Sequence, residues 1–231
     1  MKNNLTEKDI KTINKWAEKY GIKELKINDE KNFNLKQLCI FNTNIKYIPA
    51  AIFKLTNLKN LSIYCNNLNR LPKEIGNLIK LKELDIISRC LIELPKEIGN
   101  LSNIKKLSIY CENLKQLPKE IGNLINLKEL SIYCKNLKSL PNEIERLTNL
   151  ESIHIECENL KQLPKEIHNL IKLKRFDIDC PNSENFPDGI AKLINLETIY
   201  IINSNGKLNL QYLIGGIVKL NNLKSLYLDI E

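Results

Sequence analysis

Apolar residues return along this chain in a fixed phase. From Leu58 onward they fall at positions 1, 4, 6, 11, 14, 18 and 21 of a unit 23 residues long. In the unit that begins at Ile104 these are Ile104, Leu107, Ile109, Leu114, Leu117, Ile121 and Leu124. Units begin at residues 35, 58, 81, 104, 127, 150, 173 and 196. Positions 4 and 6 alternate with polar 3, 5 and 7, the period of a half-buried strand. Leu-Pro follows at positions 14 and 15, where proline fixes φ, removes a donor and can open a short helical turn. The apolar pair at positions 18 and 21 then suits one turn of α or 3₁₀ helix. One unit is too short to bury its own stripe, whereas stacked units bury a continuous core.

A unit of this length with these apolar positions resembles the leucine-rich repeat family, in its form with Leu-Pro on the outer side. The resemblance runs from Leu35 to Asn222. It implies an α/β repeat solenoid: a right-handed horseshoe with a concave parallel β-sheet and short helices or 3₁₀ turns on the convex side. The prolines at 72, 95, 118, 141, 164 and 187 exclude a bundle of long helices. The family usually places an asparagine three residues after the second strand leucine. Here that position holds Asn66, Arg89, Glu112, Lys135, Glu158 and Pro181. The consistent columns flank it. Position 8 carries Cys111, Cys134, Cys157 and Cys180, with Asn42 and Asn203 near the ends, and position 10 carries Asn113, Asn136, Asn159 and Asn182. Either column could satisfy the backbone at the strand-to-turn corner.

The two ends of the chain depart from the repeat. Residues 6 to 20 predict a helix, with Thr6 as its cap, Gly21 as its stop, and Ile10, Ile13, Trp16, Ala17 and Tyr20 on one face. An array needs its open end covered, so residues 1–34 are expected to form an N-terminal helical cap with a first short strand at Leu25 and Ile27. Residues 35–231 then form the solenoid, continuous with the cap as one domain. The unit at Leu196 is longer by four residues and carries Asn205-Gly206 and Gly215-Gly216 as turn signals, with room for a true short helix. The final LKSLYLDIE predicts a strand in which Leu226, Leu228 and Ile230 point inward and whose open edge is met either by more of a longer chain or by a second copy through self-association.

Composition narrows the function. The chain has 231 residues, 43% hydrophobic and 27% charged, with a net charge of +8. Its apolar runs fall far short of the ~20 residues that span a bilayer. No apolar segment of signal-peptide type follows Met1. Seven cysteines, an odd number, suit unpaired thiols in a reducing compartment, which points to the cytoplasm, with secretion as an effector as the alternative. The cysteines at position 8 lie in phase with the buried Leu and Ile, so they read as small core residues. They lack the CxxC spacing or histidine cluster of a metal site, and no metal or cofactor is expected. Neither His154 nor His168 has a motif-placed nucleophile beside it, and Asp85, Asp177 and Asp179 are the kind of grouping that parallel columns produce by chance. Catalysis is therefore not expected.

Two kinds of surface remain. Lysines recur at position 2 (Lys36, Lys59, Lys82, Lys105, Lys128, Lys174) and at position 16 (Lys73, Lys96, Lys119, Lys165), the latter each followed by Glu. Such Lys-Glu rows are usually solvated, and nucleic-acid binding is disfavoured, although the position 2 column could attract an anionic polymer. Positions 5 and 7 project into the concavity. They supply Phe41, Tyr64, Tyr110 and Tyr133, then His154, Glu156, Asp177 and Asp179, then Tyr200 and Tyr227. Aromatic residues on a rigid face are what protein interfaces use, although sheets also favour them for their own sake. These ten residues are the expected binding surface of a non-catalytic module that holds a protein or peptide. The alternatives are a host-directed or surface-binding module cut from a longer secreted bacterial or parasite protein, or a basic binder of an anionic polymer.

Overall fold

A computed structural model describes residues 5–25, 27, 34–183, 188–204 and 210–230. Among these residues nine strands form one parallel sheet in chain order: β1 (Gln37–Phe41), β2 (Asn60–Tyr64), β3 (Glu83–Ile87), β4 (Lys106–Tyr110), β5 (Glu129–Tyr133), β6 (Ser152–Glu156), β7 (Arg175–Asp179), β8 (Thr198–Asn203) and β9 (Ser225–Ile230). From β1 to β8 each residue pairs with the one 23 positions on, as Leu84 pairs with Leu107 and Leu107 with Leu130. The repeat length therefore sets the register, and every column of the sequence becomes a column in space. This is the expected solenoid, with the sheet on its concave side and 3₁₀ turns on the other.

The turns follow from the proline. In each unit from Pro49 to Pro164 its extended backbone caps a five-residue 3₁₀ turn, such as Lys96–Asn100 after Pro95. The proline carbonyl accepts the N–H of the isoleucine three residues on, at 3.0 Å for Pro95 and Ile98. That isoleucine is then aimed inward, and Ile98, Ile121 and Ile144 are fully buried. Position 19 is glycine in three consecutive units because neighbouring turns almost touch. A Cβ on Gly76 would lie 2.6 Å from the Glu97 carbonyl oxygen, and one on Gly99 2.5 Å from that of Glu120.

Both candidate polar columns bond between units, at different depths. At position 8 Asn203 donates to the carbonyls of Cys180 (3.0 Å) and Ser183 (2.9 Å) inside the corner. The cysteines that replace asparagine there make only long contacts of this kind, such as Cys134 to the Ile109 carbonyl at 3.9 Å. At position 10 the bonds run along the exposed rim, from Asn113 to the Arg89 carbonyl and from Asn159 to that of Lys135. A third column, not singled out from the spacing, lies at position 23. There Asn103, Asn126, Asn149, Asn195 and Asn222 each donate to the preceding unit, for example Asn126 to the Ser102 carbonyl at 2.9 Å.

Helix α1 (Glu7–Tyr20) closes the first end as its sequence predicts. Thr6 and Asp9 form a reciprocal capping box, Gly21 ends the helix at φ 70, and Ile13, Trp16 and Ala17 are buried. Two expectations near the ends need correction. Leu25 lies in a 3₁₀ turn, Lys23–Leu25, and Ile27 belongs to no strand, so the first short strand at Leu25 and Ile27 is not present. Instead Ile27 exchanges both backbone hydrogen bonds with the Asn14 side chain of α1, which fixes that segment to the helix rather than to β1. Gly215 and Gly216 are not a turn but lie in the last turn of the short helix expected in this unit, α2 (Leu210–Ile217). A Cβ on Gly216 would sit 2.6 Å from Ile190 Cγ2, so glycine there permits α2 to pack on the preceding turn. Asn205-Gly206 lies outside the described residues.

Candidate functional site

Strands β1 to β8 bury positions 4 and 6 and turn positions 3, 5 and 7 outward, as in the exposed-buried alternation of β1. All ten expected binding residues lie on this outward face, but they form three groups rather than one row. At the first end Phe41, 72% exposed, meets Tyr64 edge to face at 6.4 Å. Ile87 then interrupts the aromatic column.

The second group is the tightest. Tyr110 and Tyr133 stack with centroids 4.0 Å apart and planes 8° from parallel. That is closer than the ~4.8 Å spacing of the strands beneath them, so the rings lean together. His154 continues the stack, 4.7 Å from Tyr133. Burial first, and then the hydrogen bond with Tyr110 and the nearby Glu156 and Asp177, push the Tyr133 hydroxyl well above the usual tyrosine range. It therefore stays protonated as a donor. Beside the stack opens a cleft of about 680 Å³, lined in part by Ile87, Arg89, Tyr110, Tyr133, Glu156 and Glu158.

The third group joins acids to a second stack. Asp177 is the floor, its side chain only 5% exposed. Its Oδ2 accepts Arg175 Nε at 2.6 Å and lies 3.6 Å from His154 Nδ1. Burial alone would raise this carboxyl, but His154 and Arg175 outweigh it and hold it below the usual carboxylate range. Asp179, beside it, is raised by burial and by Asp229, against an opposing pull from His154. Glu156 stands in register with Asp179, and Asp177 with Tyr200. Tyr200 and Tyr227 stack at 4.7 Å and 11°. The columns foretell which residues share the face. They do not foretell that His154, at position 5, stacks on Tyr133 at position 7, nor that Arg175 at position 3 closes over Asp177.

The lysine columns are partly neutralised. Lys128 and Lys174 share Glu151 at 2.6 and 3.3 Å, and together they lower its carboxyl. All seven thiols are free, and Cys65, Cys111, Cys134, Cys157 and Cys180 are buried. His168 lies in the outer turn Lys165–Asn169, its ring bonded to the Lys165 carbonyl.

A sheet of in-register parallel strands joined by proline-capped turns is the architecture of a repeat solenoid. The family profile described as "Leucine-rich repeat region" matches residues 15–139 and 117–231, and the chain belongs to that family. A leucine-rich repeat protein of Leptospira interrogans, LIC12759, is 26% identical with a TM-score of 0.58, over 90% of this chain and 65% of that one. The leucine-rich repeat domain of the type III effector XCV3220 (XopL) aligns at 24% identity and a TM-score of 0.70, over 86% of this chain and 70% of that one. The plant peptide hormone receptor RGFR1, solved in complex with RGF2, aligns at 21% identity and 0.55, over 87% of this chain and 41% of that one. The chain thus spans about two thirds of the length of the first two and less than half of the third. Among curated proteins none matches this sequence. Among the described residues no helix is long and apolar enough to cross a membrane.

Proposed function

We propose that the protein is a non-catalytic interaction module that holds a protein or peptide on the concave face of its sheet. The observation that carries this reading is the Tyr110–Tyr133–His154 stack beside an open cleft. Stacked rings on a sheet lose little entropy on binding, because each is already held by its neighbours. That chains of the same fold include a peptide hormone receptor solved in complex with RGF2 and a type III effector domain accords with the reading. Free thiols buried in the corner fit a protein that works in a reducing compartment, the cytoplasm, and secretion as an effector from a longer chain stays compatible with the same face.

The test compares capture and affinity of a partner by the wild type, by Tyr110→Ala and Tyr133→Ala, and by a variant with Lys96 and Lys119 changed to Ala on the turn side. Each tyrosine substitution is expected to weaken binding by about 2 kcal/mol with little loss of thermal stability. The lysine variant is expected to bind as the wild type does. Binding that falls steeply with salt, depends on the lysines and ignores the tyrosines would replace this reading with that of an anionic-polymer binder.

A further inference from the structure

Several carboxylates bordering the strands and at the first end are matched. Glu129 pairs with Lys106, Glu158 with Lys135, Glu112 with Arg89, Glu151 with two lysines and Asp9 with Lys54. Against that background β6 and β7 stand apart. Among the described residues neither the Glu156 nor the Asp179 side chain has a hydrogen bond or ion pair, while Asp177 uses one oxygen on Arg175 and leaves the other, Oδ1, buried and without a partner. The buried His154 Nε2 is likewise unpartnered. Leaving such atoms unsatisfied is costly, and a ligand able to reach them would remove that penalty. Three carboxylates against one guanidinium is an acidic spot on a chain of net charge +8.

Its surroundings specify the ligand. Parallel neighbours stand about 4.8 Å apart, so Glu156 and Asp179 lie side by side above Asp177. Tyrosine rings border the acids on both flanks: Tyr133 next to Glu156, and Tyr200 next to Asp177. Among the described residues no cluster of histidine, cysteine and acids has the arrangement that holds a metal ion. Both faces of Tyr133 are taken by Tyr110 and His154, which leaves the Tyr200 ring, stacked among the described residues on Tyr227 alone. Paired carboxylates beside it suit a flat guanidinium, which can bond both acids and lie along that ring, better than a compact ammonium. Arg175 already shows that this floor accepts one.

We propose that Glu156, Asp177 and Asp179, walled by Tyr133 and Tyr200, form a subsite for an arginine side chain of the segment bound on the concave face. This rests on the reading of that face as the binding surface and adds the chemistry of one anchor. The partner segment therefore carries an arginine adjoining the apolar residue that meets the Tyr110–Tyr133 stack.

The subsite can be tested without the partner. N-acetyl-arginine amide is titrated into the whole chain while the ring protons of His154 and Tyr133 are followed by NMR, with N-acetyl-citrulline amide as the uncharged isostere. The arginine amide is expected to shift these signals saturably in the millimolar range and the citrulline amide to leave them unmoved. Glu156→Gln with Asp179→Asn, on exposed or half-exposed positions that leave the core untouched, should weaken the arginine amide about fivefold. Equal shifts from both amides, or undiminished binding in the double variant, overturn the subsite. If the subsite fails while Tyr133→Ala still loses the partner, the concave-face reading stands alone. If arginine amide binds but partner capture depends on the turn-side lysines, the subsite stands and that reading falls.

Discussion

The two ends of the sheet face the same difficulty and meet it differently. Interior units bury their leucines and isoleucines almost completely between neighbours, as at Leu107, Ile109 and Ile121. At the first end α1 takes the place of a neighbour. It buries Ile13, Trp16 and Ala17 against the array. It is tied down by Trp16 Nε1 on the Tyr47 carbonyl, by Asn42 on the Tyr20 carbonyl and by Lys54 on Asp9. At the other end β9 pairs only with β8 among the described residues, and Leu226 remains 46% exposed and Val218 73% exposed. Leu228 and Ile230, expected to point inward, are only partly buried. The difference shows what a repeat supplies and what it does not. Each unit contributes one half of an interface, so an array of any length has two unmatched halves, and only a sequence outside the repeat can cover one of them.

The largest effect should come from breaking the covered end. Trp16→Ala empties a buried site and removes the hydrogen bond to Tyr47, and it is expected to cost about 3 kcal/mol or more. Chemical denaturation of the variant beside the wild type measures this directly, and unchanged stability would mean that α1 does not serve as a cap. The next effect concerns the β9 end, whose outer edge no described residue covers. An open strand edge flanked by exposed apolar side chains is a template for pairing, and a second copy offers the same edge. Light scattering across a concentration series is therefore expected to show association, and Leu226→Lys with Val218→Lys is expected to abolish it. A strict monomer at high concentration, with β9 protected in hydrogen exchange, would show that the end is stable uncovered.

How much of this was legible in the sequence follows from what repeats. The 23-residue phase fixes the strands, their register, the proline-capped turns and the face on which Tyr110, Tyr133, Glu156 and Asp179 emerge, because in a parallel stack a column of sequence is a column in space. Thr6, Asp9 and Gly21 likewise announce α1, since capping depends on local residues. What escaped is what depends on the neighbour across a unit boundary. Leu25 and Ile27 alternate as a strand would, yet Asn14 of α1 captures the backbone of Ile27. Gly215-Gly216 looks like a turn, yet close packing on Ile190 explains the glycine. At the candidate site the membership of the face was visible. The lean of His154 onto Tyr133 and the half-satisfied Asp177 were not, because side-chain angles and buried partners leave no period in the sequence.

The smallest effect offers the finest comparison of the two ends, and the buried thiols report it. Burial, the largest influence on each, raises Cys65 to about 11 and Cys134 and Cys180 to about 12, because the thiolate would lose its solvation in the core. At a working pH near 8 the reactive thiolate at Cys134 is then on the order of a thousandfold scarcer than at a free thiol of pKa about 8.5, so labelling waits for local opening. Cys39, exposed on β1, is expected to react at once and serves as the internal standard. Among the buried thiols, Cys134 and Cys157 should stay unlabelled until the protein unfolds. Cys180, near the open end, should label before Cys65, near the covered one, as residue-resolved mass spectrometry after a timed pulse of reagent would read. Trp16→Ala should then accelerate Cys65 and leave Cys180 as it was. Equal rates at Cys65 and Cys180 in both proteins would mean that opening does not begin at the ends, and that covering one of them changes stability without changing where the array comes apart.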